Sequence, residues 1–446
     1  MGRTAPSPAV ERIVRDLCPL LWIRLSPACS GRGACAAVHL GPETETGGIQ
    51  LTFTGSLRAE ATDNETLTAD PARSSLNSVA SLSFGLLSAT RVSSFALGSS
   101  ADLRYVGADD DLELSTPRLT GAYTRTSADA TFEMNASLDR VDLDRIDLVL
   151  LDDPLGGDLF VDATDLIGVV EGTSERRSAV IDARLTWGLT SRASYSLEAR
   201  VEDVSYSGGV ANALEGTVLN DSRRVTLGAG TQLDLTTAAR LSAGVDVSRF
   251  EDLADDTTSD EIGMDLGVAI DRPLGAVSAG VEIADTDAGQ RYGISVGRSL
   301  DLPLGPVSGS IGVVQAAAGD LAITAQAGLR RDLPAGTLGF DLARSVSSLN
   351  TLNTEQLTTR AAATYARELT PLTGLQLGFS FAQVEDMASG DRGYDAALET
   401  TLSRALTEDW SADAGYVFRA SDNDPGDRAT SNTVFVELRR SFVTRY

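Results

Sequence analysis

From about residue 49 onward the chain alternates between apolar and polar positions almost without pause. Ile49, Leu51, Phe53, Gly55, Leu57 and Ala59 interleave with Gln50, Thr52, Thr54, Ser56, Arg58 and Glu60. Phe95, Leu97, Ala101, Leu103 and Tyr105 oppose Ser94, Gly98, Ser100, Asp102 and Arg104. Ile181, Ala183, Leu185, Trp187 and Leu189 oppose Asp182, Arg184 and Thr186, and Tyr195, Leu197, Ala199 and Val201 oppose Ser196, Glu198, Arg200 and Glu202. A period of two is that of a β-strand with two unlike faces, and it excludes an amphipathic helix. Read this way, the chain predicts about twenty strands, between about 18 and 22, with helical patterning absent past residue 45.

The connections between these segments are of two kinds. Tight ones include Ser88 to Arg91, Thr190 to Arg192, Thr236 to Ala239 and Thr407 to Asp409. A recurring set adds proline and glycine: Arg272-Pro273-Leu274-Gly275, Leu302-Pro303-Leu304-Gly305, Leu333-Pro334-Ala335-Gly336 and Pro371-Leu372-Thr373-Gly374. Proline ends a ladder by lacking an N–H, and glycine permits the positive φ that a turn needs. Between them fall longer acidic connections: Thr62 to Arg73, Gly107 to Glu113, Gly208 to Asn220, Glu251 to Asp260 and Ser421 to Ala429.

The last segment carries the pattern to the end of the chain. Val434, Val436, Leu438, Arg440, Phe442, Thr444 and Tyr446 share one parity, and Phe435, Glu437, Arg439, Ser441, Val443 and Arg445 the other. This ending resembles the closing strand of Gram-negative outer-membrane β-barrels, and the long-and-short layout of the connections resembles a porin. Arg440 departs from the resemblance, which implies an aliphatic or aromatic residue there. The implied fold is all-β: a single closed antiparallel transmembrane barrel over residues 45–446, with short periplasmic turns and longer extracellular loops. Phe442 and Tyr446 would then be the closing signal read by the barrel-assembly machinery. Outward aromatics near strand ends would form interfacial girdles: Trp187, Tyr195, Trp410 and Tyr446 at one rim, Tyr105, Tyr206 and Phe418 at the other.

Composition narrows the function. The net charge of −26 leaves no basic surface for nucleic acid. All 37 basic residues are arginines, which removes lysine chemistry. Cys18, Cys29, Cys35 and the single histidine, His39, all lie before residue 40. The rest of the chain therefore has no histidine or cysteine for a nucleophilic triad or a zinc site, so an enzyme is not expected. Absence of cysteine beyond this point suits passage through an oxidising periplasm.

Residues 1–40 read as an imperfect targeting leader, absent from the mature protein or disordered in it. Arg12 and Arg15 precede an apolar run from Leu17 to Leu25, followed by Ala34-Cys35-Ala36 of A-x-A form. Pro19 and Arg24 interrupt the run, and a start placed too early would read the same way.

Within the barrel reading, the expected function is passive diffusion of small hydrophilic solutes across the outer membrane. The alternative is a structural barrel, or one exporting surface polysaccharide. The longest loop, 141–176, carries Asp152, Asp153, Asp158 and Asp162 and follows the fifth expected strand. Resemblance to general porins implies that this loop folds into the lumen and faces arginines on the wall, here Arg184, Arg200 and Arg224, all of inward parity. Opposed charges of this kind filter solutes by size and charge. No cofactor is expected. The runs Asp109-Asp110-Asp111 and Asp422-Asn423-Asp424 with Asp427 offer hard oxygens for loosely held divalent cations, without the spacing of a calcium loop. Expected partners are membrane lipid and lipopolysaccharide, the solutes themselves, and further copies of the chain should it form a homo-oligomer.

Overall fold

The computed structural model describes residues 48–65, 67, 74–106, 111–142, 175–207, 211–212, 217–218, 220–349, 354–422 and 428–446. The wall strands are β1 (Gly48–Thr62), β2 (Ser75–Ala89), β3 (Ser93–Val106), β4 (Asp111–Thr126), β5 (Ala130–Asp142), β6 (Glu175–Trp187) and β7 (Ala193–Ser207). They continue as β8 (Ser222–Asp234), β9 (Ala239–Asp252), β10 (Thr257–Arg272), β11 (Gly275–Thr286), β12 (Gly289–Leu302) and β13 (Gly305–Gln315). The last are β14 (Leu321–Leu333), β15 (Gly336–Leu349), β16 (Thr354–Thr370), β17 (Thr373–Asp386), β18 (Arg392–Ala405), β19 (Trp410–Asp422) and β20 (Ala429–Arg445). Together they make one 20-stranded sheet, each strand antiparallel to its chain neighbours, and β1 also pairs with β20. The sheet closes on itself. A two-residue ladder, Ala211–Asn212 against Thr217–Val218, sits apart between β7 and β8.

Closure runs along the whole length of the first and last strands, from Gln50 opposite Arg445 to Thr62 opposite Thr433. Ile49 and Tyr446 extend it with a reciprocal pair of backbone hydrogen bonds of 3.1 and 2.9 Å. At the other end Asp63 accepts from the backbone N–H (2.6 Å) and side-chain Nδ2 (2.7 Å) of Asn432, whose Oδ1 accepts from the Tyr416 hydroxyl at 2.6 Å. The Asn432 N–H, more than any other contact, holds the exposed Asp63 carboxyl below its ordinary 3.8.

Register places the apolar parity outside. Opposite residues of an antiparallel ladder share a face, so Phe53, Phe84 and Phe442 stand together, as do Leu57 and Leu438. The Phe53 and Phe84 rings lie 5.0 Å apart. These side chains face away from the lumen, and Phe53, Leu57, Leu438 and Phe442 are exposed, as are Leu82, Ile294, Ile311 and Ile323. In water such a surface would demand a covering layer; in a bilayer the hydrocarbon covers it.

Arg440, the departure in the closing strand, is explained by its surroundings. Its guanidinium lies 5.2 Å from the Trp410 ring centroid and 4.1 Å from that of Phe442. Two π faces offset part of the cost of a charge on the lipid side. Trp187 stacks on Tyr195 at the same rim, with centroids 5.6 Å apart. On the loop side Tyr105 and Phe418 face outward as expected, but Tyr206 does not. It pairs with Arg176 and follows Arg200, Glu202 and Val204 on the lumen parity. Its place near a strand end suggested an interfacial aromatic; an even position on β7 could only point inward.

Two tight turns show why glycine recurs beside proline. Gly275 and Gly305 adopt φ of +122° and +131°. A Cβ there would strike the Ser299 and Arg330 carbonyl oxygens of the next strand along. Two register shifts interrupt the described ladders: one near the turn of β16, between Glu368 and Thr370, and one between β3 and β4, between Ser100 and Asp102 opposite Thr116 at φ +46°. The outward set on β4 thereby changes from Leu112 and Leu114 to Leu119 and Tyr123.

Two tests follow from the seam and the turns. Asp63→Ala, which removes the acceptor of both Asn432 donors, is expected to lower the temperature at which the folded barrel shifts to its unfolded mobility on unboiled gels, while Leu67→Ala in the adjoining loop leaves it in place. The second concerns acid. Asp63 and Asp129 both have depressed carboxyls, Asp129 first through the Thr190 hydroxyl and then through its backbone N–H. A carboxyl depressed in the folded state contributes stability in full above its unfolded value and loses it as pH falls through the folded one. The thermal transition should therefore be flat from pH 7 to about 5 and fall below about 4, and Asp63→Asn with Asp129→Asn should flatten that fall.

Candidate functional site: the lumen wall

The lumen face carries the polar parity of every strand, and three groups of its charged residues are built around arginine. In the first, Arg184, Arg200 and Arg224 sit on the adjacent strands β6, β7 and β8, as inward parity predicts. Arg184 donates from Nε to Glu198 at 2.5 Å. Arg200 pairs with Glu202 at 3.6 Å, and Arg176 reaches the same carboxylate at 3.9 Å. Arg224 lies over the Phe250 ring at 5.6 Å. Beside them Asn135 donates to Asp182 at 2.9 Å. The structure thus brings the three arginines together and matches two of them with wall carboxylates. Glu198 and Glu202 were missed as site residues, although they share the arginines' parity on the same strand. Asp152, Asp153, Asp158 and Asp162 lie outside the described residues, as does residue range 143–174 of the loop.

A second group lies around the seam. Arg58 pairs with Glu60 at 3.1 Å and stacks over Phe435 at 3.8 Å. Arg104 reaches Glu60 at 3.0 Å and Glu65 at 3.7 Å, and Arg439 pairs with Glu437 at 3.0 Å. Arg184 faces Glu198 across a rung, whereas Arg200 with Glu202, Arg58 with Glu60 and Arg439 with Glu437 stand two residues apart on one strand, each guanidinium beside a carboxylate on the same face.

The third group changes the shape of the wall. Arg291, on β12, is 3% exposed and is met by Glu261 at 3.1 Å, Glu355 at 3.4 Å and Glu282 at 3.9 Å. Glu261 and Glu282 are lumen-facing neighbours on β10 and β11. Glu355 comes from β16, four strands away, and also accepts from the Ala317 N–H at 2.5 Å. By alternation Glu355 and Leu357 belong to the outward parity of β16, as Val346 does on β15. Yet Val346 and Leu357 pack with the lumen-facing Val314 and Ala322 of β13 and β14, together with Met387. Pairing of β14 with β15 stops at Ala325 opposite Arg344, while β15 and β16 stay paired up to Leu349 and Thr354. The loop-side end of β15 therefore parts from β14 and, still paired with β16 and through it with β17, leans with β16 over the inner face of β12 to β14. Arg344 marks the point of departure, donating from Nε to the Ile323 carbonyl at 3.1 Å in place of the broken ladder. Sequence reasoning looked for an inward element in the 141–176 loop; this hairpin is an inward element it did not find.

At the short-turn mouth the lumen parity is acidic. Asp271, Asp301, Asp332 and Glu368 occupy equivalent places on β10, β12, β14 and β16. Their amides donate to Ala238, Leu274, Leu304 and Ala335 of the neighbouring turns at 2.7, 3.1, 2.9 and 2.9 Å. Asp234 holds the corresponding end of β8 and pairs with Arg240 at 3.3 Å. Among the described residues, no group of three or more His, Cys, Asp or Glu is placed to hold a metal ion. Of the two acidic runs weighed for divalent cations, only Asp111 and Asp422 fall among the described residues.

With this geometry the chain is similar to solved outer-membrane barrels. Against the ferric-catecholate import receptor Fiu from E. coli K12, in its open form, it gives a TM-score of 0.51 at 8% identity, covering 89% of this chain and 82% of that one. Against the siderophore receptor PirA from Acinetobacter baumannii the values are 0.49 and 9%, over 88% and 80%. OccAB4 of the same organism is covered in full by 90% of this chain, at a TM-score of 0.35 and 10% identity. No protein-family model matches, nor does any curated protein. What the likeness to the Fiu receptor shows is the fold: a closed, lipid-facing antiparallel β-barrel of the outer-membrane kind.

If the leaning hairpin narrows the lumen, its anchor is Arg291. Removing one partner of a buried ion pair costs on the order of 3 kcal/mol because the remaining charges are left uncompensated. Arg291→Ala leaves three carboxylates facing one another, whereas Glu355→Ala leaves the arginine two partners. Single-channel conductance is expected to rise, or to fluctuate between levels, more in Arg291→Ala than in Glu355→Ala. Equal and unchanged values would show that the hairpin does not obstruct the path.

Proposed function

We propose that the barrel is a passive channel for small hydrophilic solutes with a preference for cations. The observation that carries the reading is the lining: each strand gives its polar parity to the interior of a closed 20-stranded wall. A packed protein core does not bury so many unlike charged groups, whereas a wet passage accommodates them. The opposed arginine and glutamate groups on β6 to β8 and around the seam support a transverse field that orients dipolar solutes in transit. The expectation that Asp152, Asp153, Asp158 and Asp162 narrow the passage opposite Arg184, Arg200 and Arg224 is kept as part of this proposal. Acidic side chains at the short-turn mouth support cation over anion passage, as acidic rings do in cation channels. Phe442 and Tyr446, both on the outward face of the seam strand, suit recognition by the assembly machinery before the barrel closes. Arginines and acidic loops exposed at the loop side are compatible with lipopolysaccharide and bridging cations.

Purified protein in a planar bilayer is expected to give steady stepwise openings. Under a tenfold potassium chloride gradient, the reversal potential should have the sign of potassium preference. Asp271→Asn, Asp301→Asn, Asp332→Asn and Glu368→Gln together should bring it toward zero with little change in conductance. Electrical silence would contradict the channel and favour the structural or polysaccharide-export barrel instead. An anion preference would contradict the role given to the acidic mouth.

A further inference from the structure

The outward face near the short turns carries a feature that the passage does not use. Arg272, Arg298, Arg331, Arg367, Arg404 and Arg440 lie on the lipid-facing parity of β10, β12, β14, β16, β18 and β20, each within the last turn-side stretch of its strand. Each is followed two residues later by an apolar side chain: Leu274, Leu300, Leu333, Leu369, Leu406 and Phe442. The spacing of two puts arginine and apolar residue on one parity in β12, β14 and β20, while Leu369 sits at the register shift of β16 and Leu274 and Leu406 in the turns; in each case the apolar residue is nearer the strand's end. Leu274, Leu369 and Leu406 are exposed there.

This order constrains the surroundings of the guanidinium groups. A leucine between the arginine and the aqueous side indicates that the apolar belt reaches the turns, so the charge sits within the headgroup interface rather than beyond it. The acids closest in sequence, Asp271, Asp332 and Glu368, have the opposite parity and face the lumen. Of these six, Arg440 alone has partners among the described residues, the Trp410 and Phe442 rings, and these do not neutralise it. A cation without a protein counter-charge at this depth requires an anion from outside, and the flat guanidinium fork matches a phosphate in two-point contact. In an outer-membrane barrel the short turns face the periplasm, so the leaflet at this level is phospholipid. We propose that these arginines form a collar that binds the phosphates of anionic phospholipids in the periplasmic leaflet. The collar covers β10 to β20 on alternate strands. It is independent of conduction, since none of its side chains enters the lumen.

The test uses the full chain in detergent, equilibrated with equal amounts of phosphatidylglycerol and phosphatidylcholine of one chain length, with retained lipid counted by native mass spectrometry. Retained phosphatidylglycerol should exceed phosphatidylcholine by about threefold or more at low salt, since each basic group near an anionic surface contributes a several-fold preference. Arg272→Gln, Arg298→Gln, Arg331→Gln, Arg367→Gln, Arg404→Gln and Arg440→Gln together should bring the ratio to about one while single-channel conductance stays at the wild-type value. Inorganic phosphate should not displace the lipid. An equal ratio in the wild type, or an excess that persists in the sixfold variant, would overturn the collar. Displacement by inorganic phosphate, or a stronger preference for lipid A, would overturn the assignment to periplasmic-leaflet phospholipid. A collapsed ratio with an intact channel separates this proposal from the fate of the channel itself.

Discussion

In hydrocarbon an unpaired backbone amide or carbonyl has no water to turn to, and each such group costs several kcal/mol. A sheet can sit in that medium only if it has no edge. The pairing of β1 with β20, from Gln50–Arg445 to Thr62–Thr433, is therefore the interaction on which the rest depends. It is reinforced at both rims, by Ile49 with Tyr446 and by Asp63 with Asn432. The long departures from wall pairing, between β14 and β15 and between β4 and β5, lie at the loop side, where Arg344 and Arg140 donate to the Ile323 and Leu114 carbonyls of the exposed edges.

Closure then sorts the side chains into two solvents. Arginine shows how differently one residue type behaves in each. On the lumen side Arg58, Arg104, Arg184, Arg200 and Arg291 find carboxylates on neighbouring rungs or across the passage. On the outer side Arg440 has only aromatic rings. The turn repeats alternate the two environments within three residues, as in Arg331-Asp332-Leu333 and Arg367-Glu368-Leu369, so that one acid enters the mouth between an outward cation and an outward leucine.

Much of this was legible in the alternation itself. The period of two, the tight Pro-Gly turns and the even number of segments led to a barrel of about twenty strands, and 20 are present. The inward parity of Arg184, Arg200 and Arg224 was readable by counting. Two kinds of feature were hidden. Where one extra residue enters a ladder, as at Asp102 and Thr116, parity inverts and the outward set passes from Leu114 to Leu119 without any change in composition. Where a hairpin leaves the wall, as at Val346 and Leu357, an outward side chain becomes buried though its strand looks ordinary. Long-range partners such as Glu355 for Arg291 follow from that lean, and no local pattern carries them. Tyr206 shows the opposite error, a strand-end aromatic read by its type rather than by its parity.

The central claim is that lipid covers one parity and water the other. With Cys18, Cys29 and Cys35 replaced by serine, single cysteines at each position from Val434 to Val443 can be reacted in proteoliposomes with a water-soluble thiol reagent and with a bilayer-confined one. Even positions should react only with the bilayer-confined reagent and odd positions only with the water-soluble one, in strict alternation. Reaction of both parities with the water-soluble reagent, or protection of the even positions from both, would mean that something other than hydrocarbon covers the apolar face.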